Sequence, residues 1–326
     1  MHTLDELQSL YATYLNKNSY NQEPATLYEP VNYILSLGGK RLRPLLSLMA
    51  FELYDTKIEK ALCIAHSVEV FHNFTLVHDD IMDQAEMRRG KITVHSKYGI
   101  NTGILSGDVM LILAYESLLH FQIPAKIPSL VRIFNQFARE VCEGQEMDML
   151  FESSSDVSLQ AYEKMISLKT AVLLAGALKM GAIAAGSTES DALHLYDFGL
   201  NIGIAFQIQD DYLDTFGTQA QVGKQIGGDI IQNKKTFLIL KAMEVGNSEQ
   251  KQQSLDLFNP INHLPATEKI ERVTSILSDL NIPEMANQRK QYFFERGIRS
   301  LEEVQVLDEK KSLLKKIAFQ LLEREN

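Results

Sequence analysis

The sequence predicts an all-α protein, and three observations carry that expectation. The eight prolines fall at Pro24, Pro30, Pro44, Pro124, Pro128, Pro260, Pro265 and Pro283, leaving residues 45–123 and 129–259 free of them. Within those intervals apolar and small residues recur every three or four positions. Leu62, Ala65, Val68, His72 and Leu76 form one such series; Tyr115, Leu118 and Leu119, then Phe134, Phe137, Ala138 and Val141, form others. β-Branched alternation is scarce. A lack of proline suits strands as well as helices, so the period decides the class.

The helix boundaries can be read from glycine and polar clusters. Leu37-Gly38-Gly39 and Arg89-Gly90-Lys91 read as turns, and Ala185-Gly186-Ser187 as a helix stop. Residues 152–158 join two helical segments, and residues 215–228 form a glycine-studded loop. Residues 258–267 are the least patterned, and an amphipathic helix with a solvated lysine face closes the chain. No linker or low-complexity tract interrupts this, so residues 1–326 are expected to form a single domain.

Composition narrows the partners. A net charge of −10 disfavours nucleic acid and anionic membranes, yet permits an anionic small molecule wherever cations gather. Cys63 and Cys142 lack metal-ligand spacing and read as small buried hydrophobes in a reducing compartment. The N-terminus carries early acids and no apolar core, so no signal peptide is expected. The most apolar stretch, residues 171–185, falls short of the ~20 residues a membrane span needs and reads as a packed core helix. A cytoplasmic protein without stable membrane insertion is expected.

Two DDxxD runs dominate the chemistry: Asp79-Asp80-Ile81-Met82-Asp83 and Asp210-Asp211-Tyr212-Leu213-Asp214. On a helix, Asp79 shares a face with Asp83, and Asp210 with Asp214, where like charges repel. Both runs lie in apolar surroundings that make unpaired carboxylates costly. Hard cations remove the conflict, and Mg²⁺ in particular takes carboxylate oxygens while recruiting water and substrate phosphates. A lone DDxxD is often only an acidic helix end; two in similar settings are not.

Four basic clusters supply countercharge. Gly38-Gly39-Lys40-Arg41-Leu42-Arg43-Pro44 sets cations after a glycine turn, and Arg88-Arg89-Gly90 follows the first aspartate run. Lys169-Thr170 opens the apolar helix, and Gly223-Lys224-Gln225-Ile226-Gly227-Gly228-Asp229, with Lys234, follows the second run. Any one cluster alone would read as solvated surface. Together they suggest two diphosphate pockets, one bridged by metal and one held by Arg and Lys.

This ordered set, from Gly38 to Lys235, resembles the trans-isoprenyl diphosphate synthases, or polyprenyl synthetases. The resemblance implies a single-domain bundle of long helices around a central cavity, of the isoprenoid synthase type. It implies that the aspartate runs face each other there, with about three Mg²⁺ ions held by Asp79, Asp80, Asp83, Asp210, Asp211 and Asp214. It assigns Arg88, Lys169, Lys224 and Lys234 to the allylic diphosphate, and Lys40, Arg43, His72 and Arg89 to isopentenyl diphosphate. Gln207, Thr170, Gln145 and Asp148 match positions near the reacting centre. Many relatives have Gln where His72 stands, and both side chains can donate to phosphate. His78 is expected either to support the site residues or to be structural, and His66 and His95 to be packing or surface residues. A homodimer is implied as well.

The chemistry implied is Mg²⁺-dependent condensation of isopentenyl diphosphate with an allylic diphosphate. Lys169, Lys224 and Gln207 count with the aspartates as the catalytic set. Product length should be set below the first aspartate run, where Thr75, Phe74 and Phe71 lie about 6, 7.5 and 12 Å down a helix from Asp79. In the relatives this chain resembles, an aromatic five residues before the first aspartate with a small residue after it goes with C15 to C20 products, so the resemblance implies a short chain, C20 ahead of C15. A class I terpene cyclase would not need Lys40, Arg43 and Arg89, and usually lacks a second DDxxD. A non-catalytic subunit of a heteromeric synthase would have lost aspartates from one or both runs.

Overall fold

The computed structural model describes residues 1–154, 156–218, 226–258 and 264–323. In chain order the helices are α1 (Leu4–Lys17), α2 (Ala25–Ser36), α3 (Leu42–Glu52), α4 (Leu62–Met82), α5 (Val94–Tyr98), α6 (Ile100–Leu119), α7 (Ile127–Ser153) and α8 (Leu159–Ile166). Then come α9 (Val172–Ala185), α10 (Glu189–Phe216), α11 (Gly228–Ile231), α12 (Phe237–Val245), α13 (Ser248–Leu257), α14 (Ala266–Asp279), α15 (Ile282–Glu303) and α16 (Asp308–Glu323). Among the described residues the only strands are β1 (Met87–Arg88) and β2 (Lys91–Ile92), an antiparallel pair. The all-α class therefore holds, with the Arg89-Gly90 turn tightened into a small hairpin.

Most prolines mark helix starts. Pro44, Pro128 and Pro283 sit in first turns, and Pro24 and Pro265 are N-caps. Pro30 departs from this pattern by lying inside α2, and Pro260 is outside the described residues.

The chain forms two compact units, residues 1–136, 176–196 and 304–314, and residues 137–175, 197–303 and 315–326. In the first unit, α4 packs most extensively against α6 and also meets α2, α3 and α5. α3 is buried from Pro44 through Glu52. Helix α1 begins with a Thr3–Glu6 capping box, and its Leu7, Tyr11 and Leu15 recur at four-residue steps on the buried face. Tyr11 and Tyr20 reach the two ring nitrogens of buried His66 at 3.3 and 2.9 Å, making His66 the packing residue expected.

In the second unit, α12 and α14 pack on α15, and Arg289 forms a two-pronged ion pair with Glu163 at 2.6 and 2.7 Å. Residues 159–185 are one helix with a π-turn at Ser167–Ala171. Lys169 and Thr170 therefore sit inside a helix rather than opening one.

Other expectations also change. Thr215 and Phe216 still belong to α10, so the loop after the second aspartate run starts later. Cys142 is exposed, whereas Cys63 is buried as expected. The closing helix does not simply solvate its lysines: Lys311 is buried beside Asp308, and Lys310 donates to the Leu53 carbonyl at 2.8 Å. Ile100–Leu119 and Leu159–Ala185 are both long and apolar enough to cross a membrane; most of the second is buried in the protein.

Burial pushes the His66 imidazole down from 6.5 to about 4. As pH falls, the unfolded chain takes up this proton first. The His66 contribution is thus intact above about 6.5 and is lost progressively toward 4. Between pH 7 and 4.5, wild-type protein should lose about 2 kcal/mol more stability than the His66→Gln variant in denaturant titrations. Equal losses in the two proteins would exclude His66 as a source of acid sensitivity.

Candidate active site

The first aspartate run ends α4, so Asp79 and Asp83 fall on one helical face while Asp80 turns inward and is buried. The β1–β2 hairpin folds Arg88 back onto them. Its Nε donates to both Asp80 oxygens at 2.8 and 2.9 Å, and Nη2 reaches Asp79 Oδ2 at 3.5 Å. Burial raises the Asp80 carboxyl above its ordinary value, and Arg88 opposes that rise. The hairpin is possible because Arg89 and Gly90 both adopt positive φ, the twist that two-residue hairpins need. Thr93 Oγ1 on the Ala85 carbonyl (2.7 Å) and Tyr33 OH on that of Ile92 (2.6 Å) fix its base.

Arg89 leaves the same hairpin toward the Gly38-Gly39 turn and donates to the Gly38 carbonyl. A Cβ on Gly39, which has φ +111°, would lie 2.8 Å from the Arg89 guanidinium carbon. Glycine thus provides both the conformation and the space. Arg43 Nη1 lies 3.0 Å from His72 Nε2. A guanidinium only donates, so Nε2 must be the acceptor, leaving Nδ1–H as the ring's donor. Burial, reinforced by Arg43, Arg89 and Arg88, holds the His72 imidazole well below its usual value, and burial lowers Arg43 to about 10. Beneath them lies buried Glu69, whose Oε1 accepts from Asn73 Nδ2 at 3.1 Å. The structure thus gathers Arg43, His72 and Arg89 in the first unit, with Lys40 exposed beside the glycine turn.

In the second unit the Asp210–Asp214 run lies near the end of α10. Asp211 is buried and accepts from Tyr162 OH, from the Phe237 backbone N–H at 3.0 Å and from Gln207 Nε2 at 3.3 Å. Burial nevertheless pushes its carboxyl up to about 7, a cost that a nearby divalent cation would offset. Asp214 is likewise buried. Its Oδ2 accepts from Asp229 N at 2.9 Å and its carbonyl from Gly227 N at 2.6 Å, which draws the chain past α10 back toward the carboxylates. Lys234 then stands 3.7 Å from Asp229 Oδ1.

Thr170 Oγ1 donates to Gln207 Oε1 at 3.3 Å, and Lys169 pairs with Asp148 at 2.5 Å. These residues line a cavity of about 130 Å³ that also meets Asp211, Asp229, Lys234 and Lys235. Lys224, expected on the same pocket, lies outside the described residues.

Each run therefore has a buried second aspartate held by the protein, Asp80 by Arg88 and Asp211 by Tyr162 and Phe237. Asp79 and Asp210 are more exposed. Among the described residues, no three carboxylate, His or Cys side chains form a metal cage by themselves. The donors are hard oxygens beside cationic residues, and this fits Mg²⁺, which keeps waters and uses diphosphate oxygens as ligands. Tyr162, Glu69, Asp229 and Lys235 were not singled out from the sequence. Only Asp229 carried a signal, as the acid closing the Gly-Gly-Asp turn.

The polyprenyl synthetase family profile matches residues 24–277, which contain both aspartate runs. The chain is 39% identical over 310 residues to a geranylgeranyl pyrophosphate synthase from Geoglobus acetivorans, covering 94% of this chain and 93% of that protein. It is 37% identical over 322 residues to a geranylfarnesyl diphosphate synthase from Natronomonas pharaonis, covering 93% and 91%. A crystal structure of a geranylgeranyl pyrophosphate synthase superposes with a TM-score of 0.94 at 43% identity, covering the whole of both chains.

Proposed function

The chain belongs to the polyprenyl synthetase family, and from that premise we propose that it condenses isopentenyl diphosphate with allylic prenyl diphosphates to give an all-trans C20 diphosphate. The observation that carries this reading is the pairing of two aspartate runs with two separate sets of cations, as a two-diphosphate reaction requires. The whole chain is taken as one polyprenyl synthetase domain, supported by a family match that spans most of it.

Asp79, Asp80, Asp83, Asp210, Asp211 and Asp214 are proposed to serve Mg²⁺. Asp79 and Asp210 would be ligands, and buried Asp80 and Asp211 would act mainly by holding the site in shape. When bound, Mg²⁺ stabilises the charge that develops on the departing allylic diphosphate. Arg88, Lys169, Lys224 and Lys234 would bind that diphosphate, with Thr170 and Gln207 orienting it. Lys40, Arg43 and Arg89 would hold isopentenyl diphosphate so that its double bond attacks the allylic carbon. His72 would contribute through Nδ1–H while its Nε2 steadies Arg43.

The apolar wall of α4 keeps water from the cation, and Phe74 would form the floor of the growing chain. Relatives named for C20 and C25 products support a C20 assignment over C15. The cytoplasm is the proposed compartment, since both described cysteines are free thiols.

A second copy is proposed to cover α6. Leu105, Ile112 and Leu119 recur at seven-residue steps on that helix and are 59%, 57% and 63% exposed. Such a stripe matches the same stripe on another copy. In sedimentation velocity, wild type should run as a dimer and Leu105→Glu/Ile112→Glu as a monomer. A monomeric wild type would remove the proposal.

The catalytic reading is tested by incubating protein and Mg²⁺ with labelled isopentenyl diphosphate and dimethylallyl, geranyl or farnesyl diphosphate. The dephosphorylated products should be mainly the C20 alcohol. Asp79→Ala and Asp210→Ala should each lower turnover by a factor of about 1,000 or more, the loss of a transition-state contact worth about 4 kcal/mol. Diphosphate release without label incorporation would indicate a cyclase, and silence on every starter a non-catalytic subunit.

A further inference from the structure

His78 precedes the first aspartate run, yet its side chain turns from the carboxylates toward α6. Its Nε2 lies 3.1 Å from the Ile104 carbonyl oxygen. A carbonyl only accepts, so Nε2 carries the proton and the ring is fixed in one tautomer. Asp108, with Oδ1 at 3.9 Å, is the acidic side chain near the same nitrogen.

The ring occupies a notch in α6. A Cβ at Gly107 would lie 2.2 Å from His78 Nε2 and 2.5 Å from Cδ2, so alanine cannot coexist with this imidazole position. Glycine inside a helix costs about 1 kcal/mol relative to alanine, a cost offset here by the histidine it admits.

The other face of this arrangement is Phe74, one turn back along α4. Its ring meets His78 edge-on, with centroids 4.9 Å apart and planes at 67°. Contacts continue through Phe71 (5.6 Å from Phe74) to Phe134 (5.2 Å) and Tyr115 (4.6 Å). Phe71 and Phe134 are fully buried, whereas Phe74 is half-buried. Phe74 is thus supported by a rigid aromatic column below and by one tethered ring above.

We propose that His78, seated in the Gly107 notch and tied to the Ile104 carbonyl, is a positioning residue that fixes Phe74 and so limits product length. This rests on the reading of Phe74 as the floor. The imidazole packs edge-on against the Phe74 ring; without it, the phenyl ring gains room to swing toward α6 and open the floor.

The test is the size distribution of labelled products from farnesyl diphosphate in wild type and four variants. A size distribution is a ratio, so it remains readable when part of a preparation is inactive. His78→Ala should shift the main product by one isoprene unit or more. His78→Gln, which restores a donor in reach of the Ile104 carbonyl, should retain the wild-type length. His78→Ala/Gly107→Ala, whose new methyl group refills the notch, should move the distribution back toward wild type. Phe74→Ala reports on the floor itself. If Phe74→Ala lengthens the product and His78→Ala does not, the positioning role is wrong and the floor stands. If neither changes it, the floor assignment falls and the inference with it.

Discussion

Carboxylates one helical turn apart, set in largely buried helices, repel each other and lose hydration together. The surrounding structure answers that constraint. Arg88 is brought back onto Asp79 and Asp80 by the β1–β2 hairpin, and the chain after α10 is drawn back to give Asp214 the Asp229 amide. Asp211 receives a hydroxyl and a backbone amide from two other segments and a carboxamide from Gln207 one turn back on its own helix. Even so, burial keeps the Asp80 and Asp211 carboxyls above their ordinary values. The donors around these two carboxylates offset their burial only in part.

The constraint also explains a division of labour. A carboxylate whose oxygens are occupied by protein donors is a poor ligand but a good anchor. Asp80 and Asp211 hold Arg88, Tyr162 and the start of α12 in place. Asp79 and Asp210 are more exposed than either. Cations in the first unit are arranged in the same way: Arg43 is braced by His72, and Arg89 by the Gly38 carbonyl. Bracing lowers the entropy lost when a diphosphate is gripped.

Much of this was legible in the sequence because the function uses charges at fixed spacing. DDxxD, GGKRLRP and the Arg-Arg-Gly turn stand out against apolar helices, and Arg43, His72 and Arg89 come together as their order suggested. What escaped was chemistry supplied across long chain separations. Tyr162 lies 49 residues from Asp211 and looks like any helical aromatic until the two meet. The π-turn that carries Lys169 leaves no trace in apolar periodicity, so its helix was read as starting there. Lys311 and Cys142 were misjudged because residue type sets only a tendency to burial, while packing decides each case.

We propose that each aspartate run acts on the allylic diphosphate through Mg²⁺. This is tested most directly by calorimetric titration of a non-ionisable allylic thiodiphosphate with and without Mg²⁺. Binding should require Mg²⁺ and weaken at least tenfold, about 1.4 kcal/mol, in both Asp79→Asn and Asp210→Asn. Binding that is equally tight without Mg²⁺, or that survives either substitution unchanged, would contradict it.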